Sequence, residues 1–217
     1  MMKNMFLNNS DGKNTAIKQK ILGFCVNDGD YSIAELSKET NTSIPTITKL
    51  VGELIEDGYL KELGKIGTSG GRRPSIYGLN PDAGYFVGVD VSKTHVSLAV
   101  SNFKGSIIDY KDDLPFCLES TEQSMYDLCA FLKKYTGSLK IETKDILAYG
   151  LNLTGRVNRE TGHCFSYFLG EDKLPADILE EKLGAPVFIE NDSRAMTYGE
   201  YLCGMGDNVK NMLFMNV

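Results

Sequence analysis

The chain has 217 residues, 42% of them hydrophobic and 24% charged, with a net charge of -6. This is the composition of an ordinary globular protein of one or two domains, and it excludes a fibrous or wholly disordered chain. The charge is uneven: residues 1–80 hold 10 Lys and Arg against 9 Asp and Glu, whereas residues 81–217 hold 13 against 20. An acidic body repels nucleic acid, so any DNA contact is expected in the front segment alone. No apolar run approaches the roughly 20 residues of a membrane-spanning helix, and residues 1–15 lack the apolar core of a secretory signal. No membrane partner is expected. Cys25, Cys117, Cys129, Cys164 and Cys203 are scattered and odd in number, no CxxC occurs, and only His95 and His163 add imidazole. This pattern fits reduced thiols in a cytoplasm and predicts no metal site.

In chain order, residues 1–14 read as a flexible polar tail. Ile17, Ile21, Phe24 and Cys25 then recur on one helical face, which Asn27, Asp28, Gly29 and Asp30 terminate. Ser32 and Glu35 have capping-box spacing, so a short second helix is expected with Ile33 and Leu36 inward. Asn41 and Thr42 turn the chain. Ser43 is a suitable N-cap, and Pro45 falls in the first turn of a third helix, where its missing N–H costs little. That helix is expected to bury Ile47, Leu50, Val51, Leu54 and Ile55. Two β-like segments follow, at 59–63 and 75–79, joined by a Gly-rich stretch that carries Arg72 and Arg73. Residues 15–80 thus form one domain, and residues 81–84 a linker.

The pattern changes at residue 85. Three short apolar runs, at 85–91, 95–101 and 106–114, predict an antiparallel meander. Residues 120–123 (Ser-Thr-Glu-Gln) read as a second capping box, opening a helix whose Met125, Leu128, Cys129 and Leu132 share a stripe. A strand at 146–151, a helix at 177–183, a strand at 187–189 and a helix at 193–203 with Asp192 at its cap complete a βββαβαβα order. That order predicts a mixed sheet with helices packed on it. Residues 211–217 read as a strand-like apolar run, expected either to begin a second lobe or to pair back onto the first sheet.

Three helices followed by a hairpin are the parts of a winged helix-turn-helix, in which the third helix enters the major groove. Its leading residues Ser43, Pro45, Thr46 and Thr48 are small or polar and can meet base edges or phosphates, and Lys49 suits phosphate. Arg72 and Arg73 on the wing suit a narrow minor groove. The alternative is a helical bundle used for protein contact.

The run Gly70-Gly71-Arg72-Arg73-Pro74, then Leu79-Asn80-Pro81, then residues 84–90 (GYFVGVD), and later residues 184–195 (GAPVFIENDSRA) with Gly199-Glu200, resembles the ROK family of repressors and sugar kinases. The resemblance spans nearly all of this chain and about half of the family architecture. It implies an α+β winged helix followed by an α/β lobe of the actin-like ATPase (RNase H-like) type, at residues 85–210, truncated where the second lobe begins at 211–217. The kinase members carry a D-x-G-G-T hairpin for phosphate and metal. Here Asp90 and Thr94 match it, but Ser92 and Lys93 replace both glycines, which implies a degenerate nucleotide site. The E-N-D run of the family contacts sugar, which implies Asn191 and Asp192 as sugar-binding residues, with Asp192 matching the general base of the kinases; a helix-capping role for Asp192 stands beside this. Residues 152–157 resemble the family P-G-x-V loop with Thr154 at the proline, making Asn152 a third sugar candidate or a turn residue. Phe168 replaces an asparagine that often contacts sugar. The His and Cys zinc ligands of the family would lie beyond residue 217, so the resemblance implies no metal within this chain.

The resulting expectation is a non-catalytic, sugar-responsive transcriptional repressor, homodimeric on double-stranded operator DNA, with a small-molecule sugar inducer and no cofactor. The alternatives are a ROK-type sugar kinase with an added N-terminal domain, and a DNA-binding module whose body serves only dimerisation.

Overall fold

The structure, a computed structural model, describes residues 12–65, 74–158, 160–167, 174–204 and 209–215. Two compact units emerge: residues 1–84 with 102–106, and residues 85–101 with 107–217.

The first unit runs α1 (Lys13–Asn27), β1 (Tyr31–Ser32), α2 (Ile33–Glu39), α3 (Ile44–Glu56), β2 (Leu60–Lys65) and β3 (Ser75–Leu79). The capping box at α2 forms as expected. The Ser32 backbone N–H and hydroxyl donate to the Glu35 carboxylate at 2.8 and 2.7 Å, and the Glu35 N–H donates back to the Ser32 hydroxyl at 3.3 Å. These bonds hold the Glu35 carboxyl below its ordinary pKa. Ile21, Leu36, Ile47, Leu50 and Leu54 from the three helices are fully buried together with Leu60 and Leu79. Phe103, in the 102–106 segment of this unit, is buried and its ring packs at a tilt against that of Tyr59, centroids 5.6 Å apart. Gly58, at φ +82°, ends the α3 connection in the left-handed region that favours glycine. β1 and β2 both pair antiparallel with β3, giving the order β1-β3-β2.

Four local points differ from expectation in this unit. β1 has no counterpart in the sequence reading. Ile55 is 37% exposed, because it falls off the buried stripe of α3, and Ile33 is only half-buried. Ser43 occupies the N-cap position of α3, yet its side chain makes no capping bond; it pairs with the Thr46 hydroxyl at 2.9 Å instead.

The second unit contains β4 (Tyr85–Val91), β5 (His95–Asn102), β6 (Ile107–Pro115), α4 (Glu122–Ser138), β7 (Ile146–Leu153), α5 (Pro175–Leu183), β8 (Val187–Asn191) and α6 (Asp192–Cys203). The βββαβαβα order is as expected. The sheet order is β6-β5-β4-β7-β8, an antiparallel meander extended by strands parallel to β4. Strict alternation in β4 and β5 buries Val87, Val89, Val91, Val96, Leu98 and Val100 on one face. There they meet Met125, Leu128 and Leu132 of α4 and Leu179 of α5 in one core. At roughly 25 cal/mol per Å² of apolar area removed from water, such a face outweighs any individual polar contact of the lobe.

Two caps differ from expectation. Asn191, not Asp192, caps α6, its side-chain oxygen accepting from the Arg194 N–H at 3.1 Å. A neutral amide at the strand end reaches N3, whereas Asp192 already has helical placement and bonds the adjacent Ser193 N–H. At α4 the cap is Thr121 accepting from Ser124 N–H, so no reciprocal box forms; Ser120 donates to the Ser166 carbonyl. Residues 211–215 are not a strand. Among the described residues nothing pairs with them, and Leu213 is 89% exposed.

Candidate functional site

In the first unit, α3 presents Ser43, Pro45, Thr48 and Lys49 at the surface, with Thr46 half-buried. The Thr48 hydroxyl donates to the Ile44 carbonyl at 2.8 Å, a bond within the helix that restrains the side chain. The Lys49 ammonium lies 3.8 Å from Glu53, which Lys18 holds more tightly at 2.8 Å. Lys49 therefore stays available to a phosphate. Ile44, 55% exposed at the start of α3, was not anticipated as part of this face. A large apolar residue beside a helix N-terminus was the available signal. Arg72 and Arg73 lie outside the described residues.

In the second unit, the parallel strands β4, β7 and β8 end at a common edge, the usual place for a ligand in such sheets. Asp90 stands opposite Asn152, and Asn152 opposite Glu190. Asp90 and Asn152 line one cavity of about 370 Å³ with Ser97, Tyr110, Asp112 and Met196. The Asp90 carboxyl is raised above its ordinary pKa, first by burial and then by the charges of Asp192 and Asp112. Asp112 is held low by hydroxyl hydrogen bonds from Ser97, at 2.7 Å, and Tyr110. Ser97, Tyr110 and Asp112 were missed in the sequence.

Asn191 lines a neighbouring cavity of about 480 Å³ with Gly155, Arg156, Val157, Phe165 and Arg194. The Asn191 amide donates to the Gly155 carbonyl at 2.8 Å and to Asp192 at 2.7 Å. Asn152 and Asp90 thus share one cavity, Asn191 lies in the next, and Asp192 is bonded to Asn191 and felt electrostatically by Asp90.

Thr94 sits apart from both cavities. The turn that carries it is closed by Ser92: the Ser92 hydroxyl donates to the His95 carbonyl at 3.0 Å and accepts from the His95 N–H at 3.1 Å. The Ser92 N–H also donates to the His95 carbonyl at 2.9 Å. The Thr94 hydroxyl bonds the His95 ring at 2.8 Å. Among the described residues, no group of three or more His, Cys, Asp or Glu is placed to hold a metal ion. No helix among them is long and apolar enough to cross a membrane.

This architecture defines a class: a winged helix-turn-helix followed by a sugar-kinase-like α/β lobe. The ROK family profile matches residues 86–217, and a winged helix-turn-helix DNA-binding profile matches residues 15–61. The chain belongs to the ROK family. It is 27% identical over 212 residues to the xylose repressor of Caldicellulosiruptor bescii, covering 95% of this chain and 53% of that one. It is 30% identical over 139 residues to the glucokinase of Halalkalibacterium halodurans, covering 61% of this chain and 41% of that one. The crystal structure of a ROK family transcriptional regulator, a homologue of the E. coli MLC protein, shares the fold with a TM-score of 0.66 at 21% identity, over 86% of this chain and 49% of that chain. The chain spans about half the length of the curated relatives it matches.

Proposed function

We propose that the chain supplies the operator-reading head and the first sugar-contacting lobe of a ROK-type transcriptional repressor. The observation that carries this reading is the joining, in one chain, of a winged helix with an exposed polar α3 and a ROK lobe whose strand ends gather Asp90, Asn152, Asn191 and Asp192. Ser43, Pro45, Thr46, Thr48 and Lys49 read the major groove, and Arg72 and Arg73 of the wing reach the minor groove. Asn191, Asp192 and Asn152 bind hydroxyls of the effector, since a carboxylate accepts from them and an amide both donates and accepts. The protein acts as a cytoplasmic homodimer. The sugar binds the two arrangements of the dimer with different affinity and so changes the spacing of the reading helices.

The lobe is non-catalytic in this reading. Ser92 fills and ties the turn where kinase relatives carry glycine, and Asp90 faces two further carboxylates, which disfavours a triphosphate beside it. A second reading, a sugar kinase, is favoured by the similarity to glucokinase. Two experiments separate them. Duplexes are selected from a random pool and measured by anisotropy with and without a sugar panel headed by xylose. ATP-dependent phosphorylation of the same sugars is assayed in parallel. Sugar-sensitive DNA binding without turnover supports the repressor; turnover above background, or no enrichment of duplexes, sinks it.

A further inference from the structure

We propose that the cavity beside Asn191 takes an effector bearing an anionic group, received by Arg156, so that the preferred ligand is an acidic sugar or a sugar phosphate. This rests on the reading of the strand ends as a carbohydrate site and names the chemical class that site selects.

Two guanidinium groups line the cavity, and they are in different states. Arg194 is already neutralised: its Nε and Nη2 lie 2.7 and 2.5 Å from Glu190, and Nη2 also donates to the Val157 carbonyl at 2.8 Å. Arg156 has no carboxylate partner among the described residues. Its guanidinium lies over the Phe165 ring at 5.8 Å. A contact of this kind leaves the guanidinium N–H donors available to a further partner, in the fork that matches a carboxylate or a phosphate. Residues 81–217 carry 20 acidic against 13 basic side chains. An unmatched cation facing a cavity is therefore set against the general charge of the lobe.

The loop that carries Arg156 is a built structure. The Phe165 N–H donates to the Arg156 carbonyl and the Asn158 N–H to the His163 carbonyl, both at 2.9 Å, and Val157 and Cys164 form a β-bridge between them. The His163 ring meets Phe165 edge-on at 4.7 Å. The backbone that carries Arg156 is thus already ordered, which reduces the entropy lost on binding. At about 480 Å³ the cavity has room for a monosaccharide with a charged substituent. Asn191, on its wall, is the neighbour for ring hydroxyls.

The test titrates the full chain calorimetrically with D-glucose, D-glucuronate, D-glucose 6-phosphate and inorganic phosphate, on the native protein and on Arg156→Gln and Arg156→Lys. The expected result is that glucuronate or glucose 6-phosphate binds about tenfold or more tighter than glucose, a gap the size of one charge-assisted contact. Arg156→Gln should close the gap by lowering the affinity for the charged sugar, with thermal stability unchanged, and Arg156→Lys should keep part of it. Which charged sugar gains more tells a carboxylate from a phosphate site. Glucose binding as tightly as its charged relatives overturns the inference and leaves the sugar-sensing reading standing. Inorganic phosphate binding as tightly as the sugar phosphate also overturns it, as a bare anion site. Absence of binding by every sugar overturns both.

Discussion

Asp90 stands directly opposite Asn152 across the parallel β4–β7 ladder, and Glu190 of β8 continues the same rung. Because the strands are parallel and in register, three polar side chains are delivered to one sheet face near the strand ends, above a predominantly apolar core on the other face. A carboxylate in that position is partly removed from water and shares its surroundings with Asp112 and Asp192. The lobe therefore holds a charge it does not stabilise, a condition common at ligand sites.

That condition has a sign. The Asp90 pKa is raised above its ordinary 3.8 in the folded chain, so the folded state binds the proton more tightly than the unfolded one. Stability is greatest below the ordinary value and falls as pH rises through the raised one. Asp90→Asn, which removes the charge, should melt with the native protein near pH 3.5 and several degrees above it at pH 7. Thermal melts across that range check this; a lower melting temperature for the variant at neutral pH would show the carboxylate to be stabilising instead.

The α2 cap behaves oppositely. Ser32 holds the Glu35 carboxyl below its ordinary 4.5, so the contribution is present above that pH and lost as pH falls through the depressed value. Ser32→Ala should cost about 1 kcal/mol at pH 7. Native-state hydrogen exchange of the α2 amides should accelerate about fivefold, by the usual conversion of free energy to an equilibrium ratio. No acceleration would mean that tertiary packing of Leu36 alone holds the helix.

The same contrast explains what the sequence made legible. The Ser32–Glu35 cap, Pro45 in the first turn of α3 and the aliphatic alternation of β4 and β5 are local patterns, and each took its expected place. β1 is two residues long and exists only because β3, more than forty residues later, offers it a ladder. Ser97, Tyr110 and Asp112 were invisible as a group for a related reason. The β5–β6 pairing changes register between Val96 and Leu98, and β6 is almost wholly exposed, so neither alternation nor apolar content marks the residues that turn toward Asp90. Asn191 and Asp192 were found as a pair, but which of them caps α6 depends on side-chain reach.

Gly155 should be among the least replaceable residues of the candidate site. It has φ +95°, and a Cβ there would lie 2.4 Å from the Ser166 hydroxyl oxygen and 2.9 Å from its Cβ. Gly155→Ala therefore meets both backbone strain and a collision, together at least about 1 kcal/mol. Since the Gly155 carbonyl accepts from Asn191, the shift should also reduce sugar binding. Pairing the change with Ser166→Gly should relieve the collision and restore part of the stability while the φ strain remains. Calorimetric titration and thermal melts of the single and double variants check this; a single variant that binds and melts like the native chain would mean the loop adjusts freely.

The wing carries the clearest electrostatic prediction. In the repressor reading proposed above, the exposed face of α3 offers one lysine to DNA and residues 1–80 are nearly neutral overall, so phosphate neutralisation is expected to depend heavily on Arg72 and Arg73. Each phosphate contact releases counterions and steepens the fall of log K with log salt by about 0.9. Arg72→Ala combined with Arg73→Ala should weaken binding and flatten that slope by up to about 1.8. Lys49→Ala alone should flatten it by about half as much. Anisotropy titrations of a selected duplex over a salt series measure all three slopes. An unchanged slope in the double variant would remove the wing from the interface and leave α3 as the reading element by itself.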